Sequence, residues 1–203
     1  MEDYLIAITG DKGGVGKTTI AVLITEWLLH QGLNVRLTDA DPTQNTQTWA
    51  DKCAEAGRTV SSADAPVTVV DTAGTSGASL NKYIRNADLI IVPFQPHVAD
   101  LETVVGWYLS LRPELQERVA FVPNRLENTL EQREGIAQLE AIIVEEGRGK
   151  LLSGLRNRPA VYPPLLNGST TNFFDQDLGD KVKEETNDLL SALTEGIAVA
   201  GRV

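Results

Sequence analysis

Two lysines flank a glycine-rich turn in GDKGGVGKTT, residues 10–19, directly behind the apolar run Tyr4–Ile8. Glycines let successive backbone N–H groups turn inward. A helix opening at Lys17 aims its unpaired amides and positive dipole end at the same point. Strand, glycine turn and helix in that order form a phosphate cradle. In such a cradle Lys17 reaches the β- and γ-phosphates of a nucleotide, and the Thr18 hydroxyl takes a position on Mg2+. The usual loop, G-x-x-x-x-G-K-[ST], wants glycine at position 11, where this chain has Asp11. The variant segment Asp11, Lys12, Gly13, Gly14, Val15, Gly16, Lys17, Thr18, Thr19 is the expected nucleotide-binding stretch. A turn that merely links strand to helix is the plain alternative, and Gly-Lys-Thr in this setting argues against it.

Two further apolar runs end in aspartate. TDADP follows Asn34–Leu37 and contains Asp39 and Asp41; DTAG follows Val67–Val70 and contains Asp71 and Gly74. Carboxylates at the carboxyl ends of parallel strands lie on the ligand-binding edge of a sheet. Asp71 reads as the Walker B aspartate, holding Mg2+ through a bound water. Gly74 offers a backbone N–H to a γ-phosphate. One of Asp39 and Asp41 has a plainer alternative role as a cap on the next helix. Late in the chain, Asn124-Arg125-Leu126-Glu127 looks like a degraded N-K-x-D guanine signature, with Arg in place of Lys and Glu in place of Asp.

The elements that must position these groups are short apolar runs alternating with segments of helical period. The strands expected are Tyr4–Thr9, Asn34–Thr38, Val67–Val70, Leu89–Pro93 and Ala120–Pro123. They read as near-continuous apolar runs, as parallel strands covered on both faces do. The helices expected are Lys17–Gln31, Thr43–Glu55, Ser79–Asn86, Asp100–Leu111, Thr129–Glu146 and about Asp180–Val199. Ile20, Leu23, Ile24, Trp27 and Leu28 recur at helical steps in the first, and Gly32 stops it. The alternation predicts a three-layer α/β/α domain with a mainly parallel sheet, and the length predicts a single domain over residues 1–203. Arg158–Thr171, rich in Pro, Gly, Ser and Thr, reads as an irregular functional loop.

Net charge is −10, from 18 Lys+Arg against 28 Asp+Glu. An acidic chain is a poor general partner for phosphate backbones. Residues 145–158 run against that balance, with Arg148, Lys150, Arg156 and Arg158. No apolar run approaches the length of a membrane span. Cys53 is the single cysteine, which excludes an internal disulfide. A cytoplasmic protein is expected.

Taken together, Lys12–Thr19 resembles the deviant Walker A ATPases of the ParA/MinD type, whose signature K-G-G-x-G-K-T-T it matches. The similarity extends through Asp39-Ala40-Asp41-Pro42 to Trp49, through 67–74 and through Ile91–Pro96, and covers essentially the whole chain. The resemblance implies that ATP drives a two-fold sandwich dimer. Lys12 then crosses to the partner's ATP and stabilises transition-state charge there, as arginine fingers do. Asp41 orients the attacking water, and Asp39 supports the magnesium shell. Asn124, with Arg125 beside it, meets the adenine edge, helped by Arg156–Pro159. Many relatives place glutamine directly after the D-x-D-P proline, where this chain has Thr43 and then Gln44.

A small ParA-like partition or cargo-positioning ATPase is the leading expectation. It would be nucleoid-associated, with Arg148, Lys150, Arg156 and Arg158 as the surface for non-specific DNA and a ParB-like or other adaptor stimulating hydrolysis. The C-terminal DLLSALTEGIAVAGRV lacks the basic face of a membrane-binding helix, so no membrane is expected. The alternatives are a positioning switch acting through proteins alone and, lower, a ligase or amidotransferase on the same scaffold.

Overall fold

The computed structural model describes residues 3–10, 12–73 and 78–199. Six strands, β1 (Tyr4–Ile8), β2 (Val35–Ala40), β3 (Val67–Thr72), β4 (Leu89–Phe94), β5 (Val119–Pro123) and β6 (Lys150–Leu151), form one sheet in the order β2-β3-β1-β4-β5-β6. Every pairing is parallel. Successive side chains on each strand enter opposite layers. Ile6, Ile8, Val67, Val69, Leu89 and Ile91 face one apolar cluster; Ala7, Ile90, Val92 and Phe94 face the other. That two-sided burial is why these strands carry runs of Val, Ile and Leu rather than an alternating pattern.

Helix α1 (Lys17–His30), α2 (Asn45–Glu55) and α8 (Asp180–Val199) serve the first layer, together with the one-turn α7 (Tyr162–Leu165) and a 3-10 turn at Phe173–Asp175. The opposite layer holds α3 (Ala78–Asn86), α4 (Val98–Ser110), the short α5 (Pro113–Gln116) and α6 (Leu130–Glu146). α1 is buried on more than the amphipathic stripe that its period suggested. Ala21 and Val22 are as inaccessible as Ile20, Leu23 and Ile24. The chain beyond β6 covers its outer side: Trp27 stacks edge-on with Phe174 at 5.2 Å, and Asn172 Nδ2 donates to the Glu26 carbonyl. The buried Glu26 carboxylate in turn accepts from both terminal nitrogens of Arg58. α1 is thereby fixed between the sheet and the C-terminal half.

Several boundaries differ from the sequence expectation for identifiable reasons. α2 starts at Asn45, two residues later than expected, because Gln44 adopts a left-handed conformation with φ 52°. α4 begins at Val98, placing Asp100 inside its first turn. The two-residue β6 and the one-turn helices α5 and α7 are too short to show a period. In the Arg158–Thr171 loop, α7 forms where Pro163 and Pro164 suit a first helical turn, since that turn leaves N–H groups unpaired anyway.

Candidate nucleotide-binding site

β1 lies between β3 and β4, so the loop after it opens at the point where the sheet's connections reverse direction. In open α/β sheets that crevice is where ligands bind. The loop's geometry depends on glycine: Gly14 and Gly16 sit at φ 77° and 101°, and Gly16 immediately precedes α1. A side chain at Gly16 would also collide with the Asn124 amide. Asp11 and Gly74 lie outside the described residues. Lys17 is buried, and its ammonium donates to the Lys12 carbonyl at 2.9 Å across the mouth of the loop. Lys12 itself is half exposed and forms an ion pair with the buried carboxylate of Asp100.

The two aspartate-bearing strands are neighbours in register, with Asp39 beside Asp71. The Thr18 hydroxyl donates to Asp71 Oδ2 at 2.7 Å. The Thr46 hydroxyl stands between the carboxylates, 2.7 Å from Asp39 Oδ2 and 3.1 Å from Asp71 Oδ2. Asp39 is further held by the N–H groups of Asp41 and Gln47. Asp71 is 1% exposed, and its Oδ1 has no hydrogen-bond partner. Burial pushes its carboxyl up to about 6; hydrogen bonds from Thr18 and Thr46 resist that, and the nearby charge of Asp39 adds to it. An orphaned carboxylate oxygen beside a threonine hydroxyl fits Mg2+, which takes few protein oxygens and keeps several waters. Asp41 is more open, its Oδ1 accepting from the Thr43 N–H and hydroxyl, both at 2.8 Å. That is an Asx-type turn.

On the far side of the loop, Asn124 is buried at the end of β5. Its Nδ2 donates to the Val15 carbonyl at 2.8 Å, and its Oδ1 accepts from the Arg125 N–H. One amide hydrogen of Asn124 remains for a base, while its main task is to join the β5 end to the glycine loop. A cleft of about 240 Å³ opens beside it, lined by Gly16, Thr19, Arg125, Arg156, Asn157 and Tyr162 among others. The 156–162 side of this cleft is held by one residue of α8. Glu185 accepts from the Arg156 N–H at 2.9 Å, the Arg158 guanidinium at 2.9 Å and the Tyr162 hydroxyl at 2.7 Å. Burial and the adjacent Glu185 push the Tyr162 hydroxyl's pKa up, which keeps it a donor.

The four basic residues of the 145–158 stretch are therefore not one free patch. Arg156 and Arg158 line the cleft, and Arg158 is committed to Glu185. Arg148 bonds back to Glu146, and Lys150 donates to the Ala192 carbonyl. Glu127, the acid of the guanine-like signature, accepts from the Asn157 side chain instead of facing the cleft. Sequence reasoning missed Thr46, Asp100 and Glu185. Thr46 lies within the 39–49 segment but carries no signal of its own there, and Asp100 and Glu185 are polar helix residues with no motif around them; only tertiary contact brings the three to the site.

The family model of the CobQ/CobB/MinD/ParA nucleotide binding domain matches residues 6–170. The protein ParA of Rhizobium radiobacter is 29% identical over 131 residues, covering 57% of this chain and 59% of that one, so the match spans under two thirds of the relative's length. A plasmid-partition candidate from Borrelia burgdorferi B31, solved with AMPPNP, superposes with TM-score 0.69 at 16% identity, over 96% of this chain and all of that one. The septum site-determining protein MinD of Pyrococcus horikoshii OT3, complexed with Mg-ADP, gives 0.70 at 14% identity, over 99% of this chain and all of the other. At those identities the structural likeness establishes the fold, a three-layer P-loop architecture. No helix among the described residues is long and apolar enough to cross a membrane. With its K-G-G-x-G-K-T-T loop and D-x-D-P segment inside the matched span, the chain belongs to the CobQ/CobB/MinD/ParA nucleotide-binding domain family.

Proposed function

We propose that this protein is a Mg2+-dependent ATPase that switches between monomer and ATP-loaded dimer to position DNA or another cargo. The convergence of Lys17, Thr18 and Asp71 at the end of β1 and β3, with Lys12 on the loop's open rim, carries the reading. Lys17 and the loop amides would hold the β- and γ-phosphates. Thr18 and Asp71 would hold Mg2+, with Asp39 fixing the neighbouring strand end. When bound, the metal would neutralise charge on the β- and γ-phosphates. Asp41, open and turned over Thr43, orients water for attack on the γ-phosphorus. Lys12 of one chain completes the partner's site, so cleavage requires two loaded copies. A nucleotide-dependent dimer then binds non-specific DNA, and an adaptor on the cargo stimulates hydrolysis and release.

Of the four basic residues of the 145–158 stretch, Arg148 and Lys150 lie outside the cleft, and a DNA surface would be built from them, doubled by the dimer. The −10 net charge and the commitment of Arg158 to Glu185 favour the second reading, a switch that moves protein cargo without touching DNA. Sedimentation with ATP and Mg2+, with and without duplex DNA, tests both. An ATP-dependent dimer that retains DNA, and loses it when Arg148 and Lys150 become alanine, supports the first. A dimer that never retains DNA selects the second. A chain that stays monomeric with ATP rejects both. GTP binding tighter than ATP binding would overturn the base assignment.

A further inference from the structure

Asp100 is an acidic residue that the proposed reaction does not use. Its carboxylate, 5% exposed, sits in the first turn of α4, and its ion-pair partner is the ammonium of Lys12, which is 49% exposed. The two come from positions 88 residues apart, so the pair is made by the fold and not by local sequence. A buried carboxylate is tolerated when paired, and becomes costly once its partner leaves. α4's N-terminal dipole and first-turn amides favour a negative charge at this place, but they do not replace a lost cation. Lys12 has one ammonium. While it holds Asp100 it cannot reach a phosphate in another molecule.

We infer that Asp100 is a latch: it holds Lys12 within its own chain and sets how much ATP-loaded protein is needed before two copies engage. Assembly exchanges one carboxylate for a partner's phosphates, twice per dimer. The exchange is favourable only when the partner carries the full triphosphate charge, which makes the dimer selective for the loaded state. This rests on the reading that Lys12 acts in trans. In that scheme Asp100 is a positioning residue: it never touches nucleotide, and acts through Lys12.

The test compares wild type, Asp100→Asn and Lys12→Ala by sedimentation velocity and turnover across a protein dilution series with Mg-ATP. Asn keeps the shape and a hydrogen-bond acceptor while removing the charge. It is expected to lower the concentration for half-maximal dimer by about tenfold (~1.4 kcal/mol), the scale of two partly exposed ion pairs. Turnover per chain should rise at dilutions where wild type is monomeric. Asp100→Glu, which restores the charge, should return assembly toward wild type, a response that a merely structural role would not give. Should Asp100→Asn not fold, Asp100→Ser carries the same expectation. A dimer midpoint that stays the same or moves to higher concentration overturns the latch. If Lys12→Ala abolishes turnover while Asp100→Asn changes nothing, the latch alone is wrong. If Lys12→Ala assembles and turns over as wild type does, the trans reading fails with it.

Discussion

Replacing Asp71 by asparagine removes a charge that the fold buries without a full set of partners. The ordinary carboxyl value of 3.8 rises to about 6 at this position, burial being the largest cause. That displacement makes the ionised form cost the folded state about 3 kcal/mol relative to the unfolded chain. The sign follows from the folded value lying above the unfolded one: between about pH 4 and about pH 6 the folded chain binds the extra proton, so stability falls as pH rises through that window and is level beyond it. Asparagine carries no such penalty. Its carbonyl can still accept from Thr18 and Thr46, while its amide takes the place of the unpartnered Oδ1 at a cost of about 1 kcal/mol. Without nucleotide or metal, Asp71→Asn should therefore be more stable than wild type by about 2 kcal/mol at about pH 8, and no more stable near pH 4. Urea unfolding at the two pH values reads this directly, and the same variant should lose Mg-dependent nucleotide retention. A variant less stable than wild type at the higher pH, or a gap that ignores pH, would refute the assignment of Asp71 as a strained, metal-ready carboxylate.

Other consequences are simpler to state. Gly16→Ala combines a left-handed backbone with a collision against Asn124, so nucleotide affinity measured by fluorescence titration should drop about 100-fold or more. Glu185→Gln should loosen the 156–162 side of the cleft and raise KM for ATP about 3- to 10-fold with kcat near wild type, as steady-state kinetics would show; a fall in kcat alone would contradict its place at the base end.

The glycine loop was legible because Gly, Lys and Thr at fixed spacing have few other uses, and Asp71 because an apolar run ending in aspartate marks a strand's ligand edge. β1, β3, β4 and β5 were legible for the same reason as their burial: both faces are covered, so the residues are continuously apolar. β6 was not, since two residues of edge strand are held by backbone pairing with Ala120 and Phe121 and need no pattern of their own. The basic stretch was legible only as a count of charges; nothing along the chain announced that Glu185, from α8, would pair with the Arg158 guanidinium. Asp100 was only the first residue of an expected helix, and nothing local announced that its partner would be Lys12.

Mixing two disabled variants tests the shared-site claim most directly. Lys12→Ala keeps Asp41 but lacks the lysine it would lend; Asp41→Ala keeps the lysine but cannot orient water. Each alone should turn over ATP at a small fraction of the wild-type rate. In a mixed dimer one of the two sites has both groups, so an equal mixture with Mg-ATP should recover about one quarter of wild-type turnover if the chains pair at random. Recovery at that level is the predicted result. A mixture no faster than its components, or a Lys12→Ala protein already active alone, would contradict a site completed by a second copy of the chain.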